Sequence, residues 1–150
     1  MIEITVAAKS DVPSWMELVR MVSWNFPGLE SEENILDYEK TLLKNINRKT
    51  AICAKEKDRV VGILLYSVKE NMLCCMAVHP EYRKKGIASK LIAEMLTKLD
   101  ADRDVVVTTF REGDEKGIAP RALYKKFGFV EDELVEEFGY PNQRFVLHRK

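Results

Sequence analysis

Six consecutive residues, Arg83-Lys84-Lys85-Gly86-Ile87-Ala88, have the types and spacing to hold an anion. They follow an apolar run that stops at Pro80 and precede an apolar stripe at helical spacing, so they form a turn that opens a helix. A helix N-terminus offers unpaired N–H groups and the positive end of the helix dipole. Arg83, Lys84 and Lys85 add charge at that end, and Gly86 and Ala88 keep bulk away from the backbone, so a phosphate-bearing ligand can approach. A nucleotide P-loop requires G-x-x-x-x-G-K-[ST]; Lys90 follows Ser89 rather than glycine, which excludes it. The plain alternative is an ordinary helix start with a solvated basic turn. Carboxylates that could accept a proton are Glu112, Glu70 and Glu137, with Glu112 the weak preference by position alone. Cys53, Cys74 and Cys75 have no metal-ligand spacing; no metal is expected, and the three read as small buried hydrophobes. Neighbouring Cys74 and Cys75 should point to opposite faces of a strand, while His79 and His148 are isolated.

The elements that must position these residues follow from periodicity. Ile2 to Val6 alternates as a first strand. Ser10 or Asp11 caps a helix with Pro13 in its first turn and Val12, Trp15, Leu18, Val19 and Val22 on one face. The stretch Trp24 to Gly28 reads as a loop whose Trp24 and Phe26 either line a pocket or cover the core edge. A second helix starts at Ser31 with Ile35, Tyr38, Leu42 and Ile46 facing inward. Glu30, Glu32 and Glu33 suit its dipole, a better explanation than attraction of a cationic substrate. Strands Thr50 to Lys55 and Val60 to Val68 flank a hairpin turn, and Gly62 marks a bulge or a close approach. After a turn at Lys69-Glu70-Asn71, Met72 to Val78 is apolar on both faces, hence central and covered on each side. The helix that follows carries Ile87, Leu91, Ile92, Met95, Leu96 and Leu99. Asp104 to Phe110 is a further strand, so strand, helix and strand make a parallel, right-handed crossover, with the basic turn at the carboxyl ends where ligands of α/β sheets sit. A charged loop, Arg111 to Gly117, lies at the same end. Pro120 starts a short helix that Gly128 ends; Phe129-Val130 begins a strand, Glu131 to Glu137 is acidic, Phe138 to Asn142 is a turn, and Gln143 to His148 is a last strand.

Composition sets the outer bounds. The 150 residues suit one domain with a proper core. Acidic and basic residues number 24 each, which argues against a general nucleic-acid binder. No membrane-length apolar run or leader-like segment is present, so a cytoplasmic protein without a membrane partner is expected.

The basic turn in its strand-Pro-turn-helix setting resembles the coenzyme A signature of the GNAT superfamily of N-acetyltransferases: Arg or Gln, two residues, Gly, one residue, then Gly or Ala. A second stretch, Ala122-Leu123-Tyr124-Lys125-Lys126-Phe127-Gly128-Phe129, resembles the Leu-Tyr, three residues, Gly-Phe motif that ends the core in many members. The two occur in family order, about 40 residues apart, and cover roughly the second half of the chain. Two positions depart from the pattern: Gly117 and Pro120 stand where many members carry Asn and Ala, and that Asn commonly helps hold the cofactor.

The resemblance implies an α/β domain with the GNAT fold: a single mixed, mostly antiparallel sheet of about seven strands, helices on both faces, and the parallel crossover at the cofactor site. It implies transfer of an acetyl group from acetyl-CoA to a primary amine of a small molecule or peptide, by direct attack in a ternary complex. Arg83 to Ala88 would cradle the pyrophosphate, and the pantetheine arm would lie along Met76, Ala77 and Val78, with the oxyanion donor near Val78. Tyr124 would be the general acid for the departing thiolate; its plain alternative is a packing aromatic beside Leu123 and Phe127. Candidate acceptor walls are Trp24, Phe26, Thr109, Phe138 and Tyr140. Rival functions are a CoA-binding regulatory module without turnover and a transferase of longer acyl groups. Members are commonly monomers or homodimers, and an exposed edge at Gln143 to His148 would suit pairing.

Overall fold

Seven strands and four helices alternate so that one mixed sheet carries helices on both faces. The computed structural model describes residues 1–26, 28, 29 and 31–149, with Asn25 described by its backbone alone. Pro27, in the aromatic loop, and Glu30, named above with Glu32 and Glu33, lie outside the described residues.

The elements are β1 (Ile2–Val6), α1 (Val12–Val22), α2 (Glu32–Arg48), β2 (Ala51–Glu56), β3 (Arg59–Ser67), β4 (Met72–Val78), α3 (Ile87–Lys98), β5 (Val105–Phe110), α4 (Ile118–Lys126), β6 (Val130–Glu137) and β7 (Tyr140–Leu147). The strand order is β1-β2-β3-β4-β5-β7-β6, antiparallel except where β4 meets β5. Two cores result. Trp15, Leu18, Val19 and Leu42 of α1 and α2 pack on Cys53, Ile63 and Leu65 on one face. Leu91, Ile92 and Met95 of α3, with Tyr124 of α4, pack on Ile52, Leu64, Val107 and Phe145 on the other.

Local chemistry explains the boundaries. Ser31 Oγ accepts the Asn34 amide (3.1 Å) and caps α2 as expected. The start of α1 differs: a 3₁₀ turn, Lys9–Asp11, precedes it, and the buried Asp11 carboxylate accepts the Ala8 amide (2.8 Å) and pairs with Lys55 (3.1 Å). Helix α4 begins at Ile118, two residues before Pro120, because a first-turn N–H has no helical partner to lose. Gly62 satisfies both sequence alternatives. A bulge adjoins it, and a Cβ there would come within 2.8 Å of Ile87 Cγ2.

Four expectations are corrected. Phe138 and Gly139 alone make the last turn, with φ of 53° and 73°, so Tyr140, Pro141 and Asn142 belong to β7. Strand β7 is interior, between β5 and β6, so the free edge at this end is the acidic β6 rather than Gln143 to His148. The second half of β4 is not covered on both faces: Cys75 to Val78 are only half-buried. Cys74 is not a buried hydrophobe either. Leu65 pairs with Cys75 and Tyr66 with Leu73, which leaves Cys74 as an exposed bulge that breaks the strand's alternation.

Candidate functional site

The site is built where β4 and β5 part. Their parallel pairing consists of Met72 with Val106 and Leu73 with Val107. Beyond Leu73 the bulge at Cys74 turns β4, and Cys75 to Val78 leave their partner strand. A parted strand exposes backbone N–H and C=O groups, the partners a peptide-like arm needs. Met76 and Val78 border the α3–α4 core, and Cys75 and Ala77 the α1–α2 core.

At the carboxyl end of β4 the chain makes a 3₁₀ turn, Pro80–Tyr82, and then the basic turn. His79, uninformative in the sequence, is buried and holds this corner: its Nδ1 accepts the Glu81 amide (3.0 Å). The Tyr82 hydroxyl donates to Glu56 (2.6 Å), and Lys85 Nζ lies 5.9 Å from the Tyr82 ring centre. Arg83, Lys84, Lys85 and Gly86 are exposed, and both Lys84 (φ 63°) and Gly86 (φ 77°) adopt the left-handed conformation. No side chain caps α3, so the first amides of the helix, Ile87 and Ala88 among them, face outward without a side-chain acceptor. Nothing lies within 4 Å of where a Gly86 Cβ would stand, which leaves the approach open to an anion.

Tyr124 lies on α4 and faces the core it shares with α3. It is buried, its ring packs on Phe129 (5.8 Å) and Phe145 (6.1 Å), and its hydroxyl has no hydrogen-bond partner among the described residues. Burial, and secondarily Cys75, push its phenol well above the usual range. From the opposite face, Trp15 Nε1 donates to the Tyr38 hydroxyl (3.1 Å), which lies 3.5 Å from Cys75 Sγ. Burial raises both the Tyr38 phenol and the Cys75 thiol. Tyr124 and Tyr38 thus belong to the cores on the two faces of the sheet, and Tyr38 contacts Cys75 of β4.

The sequence-derived residues separate into groups. Glu112 is exposed and lines a cavity of about 250 Å³ with Asp114, Ile118, Arg121 and Lys125, beside α4. Desolvation first, then Cys75, Glu70 and Glu137, push the Cys74 thiol up to about 11. A second cavity, about 560 Å³, adjoins Tyr82, Glu56 and Arg59 at the β2–β3 turn. Neither cavity is lined by β4 residues. Trp24 is 68% exposed, whereas Phe26 packs on the α1–α2 core. Phe138 is exposed at the hairpin tip yet lies over Gly28, where a Cβ would meet its ring at 2.9 Å, so the β6–β7 tip reaches the α1–α2 loop. Tyr140 is committed elsewhere: its hydroxyl donates to Asp114 (2.7 Å) and its ring meets Phe110 edge-on. Thr109 is buried, and its carbonyl accepts Asn142 Nδ2 (3.1 Å).

Gly117 explains one departure from the family pattern. A Cβ there would stand 2.9 Å from Phe110 Cβ and 3.3 Å from Arg121 Cδ, so the position has no room for an asparagine. Arg121, absent from the sequence expectations, is buried; it donates to Phe110 O (3.0 Å) and Gln143 Oε1 (2.8 Å) and pairs with Glu131.

The family model for the acetyltransferase (GNAT) domain matches residues 47–131, from the end of α2 through the basic turn and α4. The chain belongs to the GNAT acetyltransferases. GNAT members are acyltransferases that use acetyl-CoA, and this chain is an enzyme of that class. No curated protein matches the sequence. Solved structures share the GNAT fold. A GNAT-family acetyltransferase from Bacillus cereus has a TM-score of 0.76 at 20% identity, with 100% of this chain and 99% of that one covered. The PaiA N-acetyltransferase of Thermoplasma acidophilum, solved in complex with coenzyme A, has a TM-score of 0.73 at 21% identity, with 99% of each chain covered. A ribosomal-protein-alanine N-acetyltransferase from Brucella melitensis has a TM-score of 0.74 at 20% identity, with 96% and 97% covered. Among the described residues of this GNAT chain no helix is long and apolar enough to cross a membrane.

Proposed function

We propose that this GNAT enzyme transfers the acetyl group of acetyl-CoA to a primary amine by direct attack in a ternary complex. The observation that carries the proposal is the parting of β4 from β5 beside an uncapped, basic α3 N-terminus. The amides of the Arg83–Ala88 turn bind the pyrophosphate, and the backbone of Met76, Ala77 and Val78 pairs with the pantetheine arm. A β4 amide near Val78 polarises the thioester carbonyl and holds the developing oxyanion. The amine nitrogen attacks the carbonyl carbon, the C–S bond breaks, one proton leaves nitrogen and one reaches sulfur. Tyr124 supplies the sulfur's proton or hydrogen bond. Glu112, Glu70 and Glu137 are the candidate carboxylates to receive the amine's proton, directly or through water.

Calorimetric titration of acetyl-CoA and CoA tests the cofactor half. Wild type should bind both in the micromolar range, Gly86→Glu should lose binding, and Gly86→Asn should keep it. Asparagine tolerates the left-handed φ of Gly86, so the asparagine variant controls for the backbone while the glutamate repels the pyrophosphate. Absence of binding to wild type would sink the reading.

A further inference from the structure

Two buried side chains dock helix α4 on the sheet. Of its nine residues, Arg121 and Tyr124 are the buried ones, three apart on one face, with Leu123 partly buried beside them. Arg121 is 6% exposed. A cation at that depth is tolerated only when its N–H groups are well partnered. One guanidinium here reaches three strands: Nη1 donates to Phe110 O of β5 (3.0 Å) and to Gln143 Oε1 of β7 (2.8 Å), and Nη2 pairs with Glu131 of β6. The partners are themselves fixed. Gln143 Nε2 donates to Asp132 O (2.9 Å), so that amide is used at both ends. Neighbouring Asn142 differs, since its Oδ1 has no hydrogen-bond partner among the described residues. Glu131 also meets Lys125 of α4 (3.7 Å), while Arg111 is spent on Asn142 O and Val135 O, each at 3.0 Å.

The same arginine touches the aromatic floor under Tyr124. Its Cζ stands 4.9 Å from the Phe145 ring centre, and the Phe145 ring packs on Tyr124. Its stem runs where a side chain at position 117 would stand, since a Gly117 Cβ would lie 3.3 Å from Arg121 Cδ. No hydrogen bond from the described residues directs the Tyr124 hydroxyl, so its aim is set by the helix and by the packing of its ring on Phe129 and Phe145. Apolar burial alone holds a helix against a sheet without fixing its rotation, because the hydrophobic effect has no direction. Charge-assisted bonds from one planar fork do have direction, and they fix both the height and the rotation of α4.

We propose that Arg121 is a positioning residue: clamped by Glu131, Gln143 and Phe110 O, it sets α4 so that the Tyr124 hydroxyl points at the departing sulfur. Arg121 touches neither cosubstrate nor acceptor and acts through Tyr124. This assignment rests on the acid role of Tyr124 in the acetyl-transfer reading above. It also gives Gly117 a purpose, because a side chain there would push the arginine stem aside.

The test is a double-mutant cycle over wild type, Arg121→Met, Glu131→Gln, Tyr124→Phe, and each of the first two substitutions in the Tyr124→Phe background. One readout is thiol release from acetyl-CoA with butylamine as the probe acceptor. The other needs no acceptor and decides alone where butylamine is not used: the thiolate absorbance of bound CoA, titrated against pH as a difference from the free protein, reports whether a hydroxyl donates to the sulfur. Arg121→Met should lower kcat by about ten- to a hundredfold, and Glu131→Gln by less, with KM for acetyl-CoA within about twofold of wild type. Both should move the titration of the bound thiol upward, toward that of Tyr124→Phe, and neither should change it further in the Tyr124→Phe background. Glu131, with its side chain 40% exposed, carries the same comparison where Arg121→Met does not fold. Losses that multiply with that of Tyr124→Phe, or a bound-thiol titration that neither substitution moves, overturn the assignment and leave the acetyl-transfer reading standing. Wild-type kcat and titration in Tyr124→Phe overturn the acid role and this assignment with it. Absence of CoA binding to wild type overturns the acetyl-transfer reading itself.

Discussion

At Tyr124, burial holds the phenol's proton in place. Its phenol sits far above the usual range, so the hydroxyl stays protonated throughout the pH range in which an amine acceptor is usefully neutral. A hydroxyl without a protein partner is free to donate to the departing sulfur. Tyr124→Phe should therefore lower kcat by about 10² to 10⁴-fold with CoA affinity nearly unchanged, since the ring packing on Phe129 and Phe145 survives. Stopped or steady-state thiol detection checks this; a kcat within a few-fold of wild type would return Tyr124 to a packing role. The sequence made the helix start at the basic turn and the short helix of Tyr124 legible because each sits in a short local pattern. Asn142, Arg121 and His79 were not legible, because their meaning is non-local. Asn142 acquires an unpaired oxygen only once Thr109 is brought beside it, and Arg121 is buried only once β5, β6 and β7 surround it.

Among elements, α3 and β3 are coupled through the smallest side chain in the sheet. Ile87 opens α3, and it packs where Gly62 has no Cβ; an added methyl would stand 2.8 Å from Ile87 Cγ2 and 3.3 Å from Leu91 Cδ1. Gly62→Ala should destabilise the fold by about 1–3 kcal/mol and also weaken CoA binding, because the helix start that must move carries the proposed anion site. Denaturant melts and calorimetry on the same variant check both halves; a lost fold with intact affinity in the surviving population would separate packing from site geometry. Helical stripes and the first five strands were readable from apolar period alone. The β6–β7 hairpin was misread because its turn uses Phe138 and Gly139, of which only glycine is a recognisable turn residue, and because Pro141 looks like a loop signal although it pairs within β7. The splitting of β4 from β5 was also invisible: a run apolar on both faces describes a central strand equally well whether its neighbour stays or leaves.

On the scale of the whole molecule, stability should fall at alkaline pH for a stated reason. Cys53 is fully buried, and burial pushes its thiol from about 9 to about 12. A group whose folded pKa lies above its unfolded one contributes fully below the unfolded value and loses its contribution as pH rises toward the folded one. The free energy of unfolding should thus decline between pH of about 9 and about 12, and Cys53→Ala should flatten part of that decline in pH-dependent melts; an unchanged slope would locate the titration elsewhere. The two-pair seam between β4 and β5 has a different consequence. The core of α3 and α4 spans the seam on one face, but across it the backbone ladder is nearly interrupted, with Asn71 bridging its closed end by bonds to Asp100, Arg103 and Asp104. A ligand that lies along the parted strands replaces the missing rungs of that ladder. Occupancy of the proposed site would then add backbone rungs to a seam otherwise held by side-chain packing, making the cosubstrate a transient part of the scaffold.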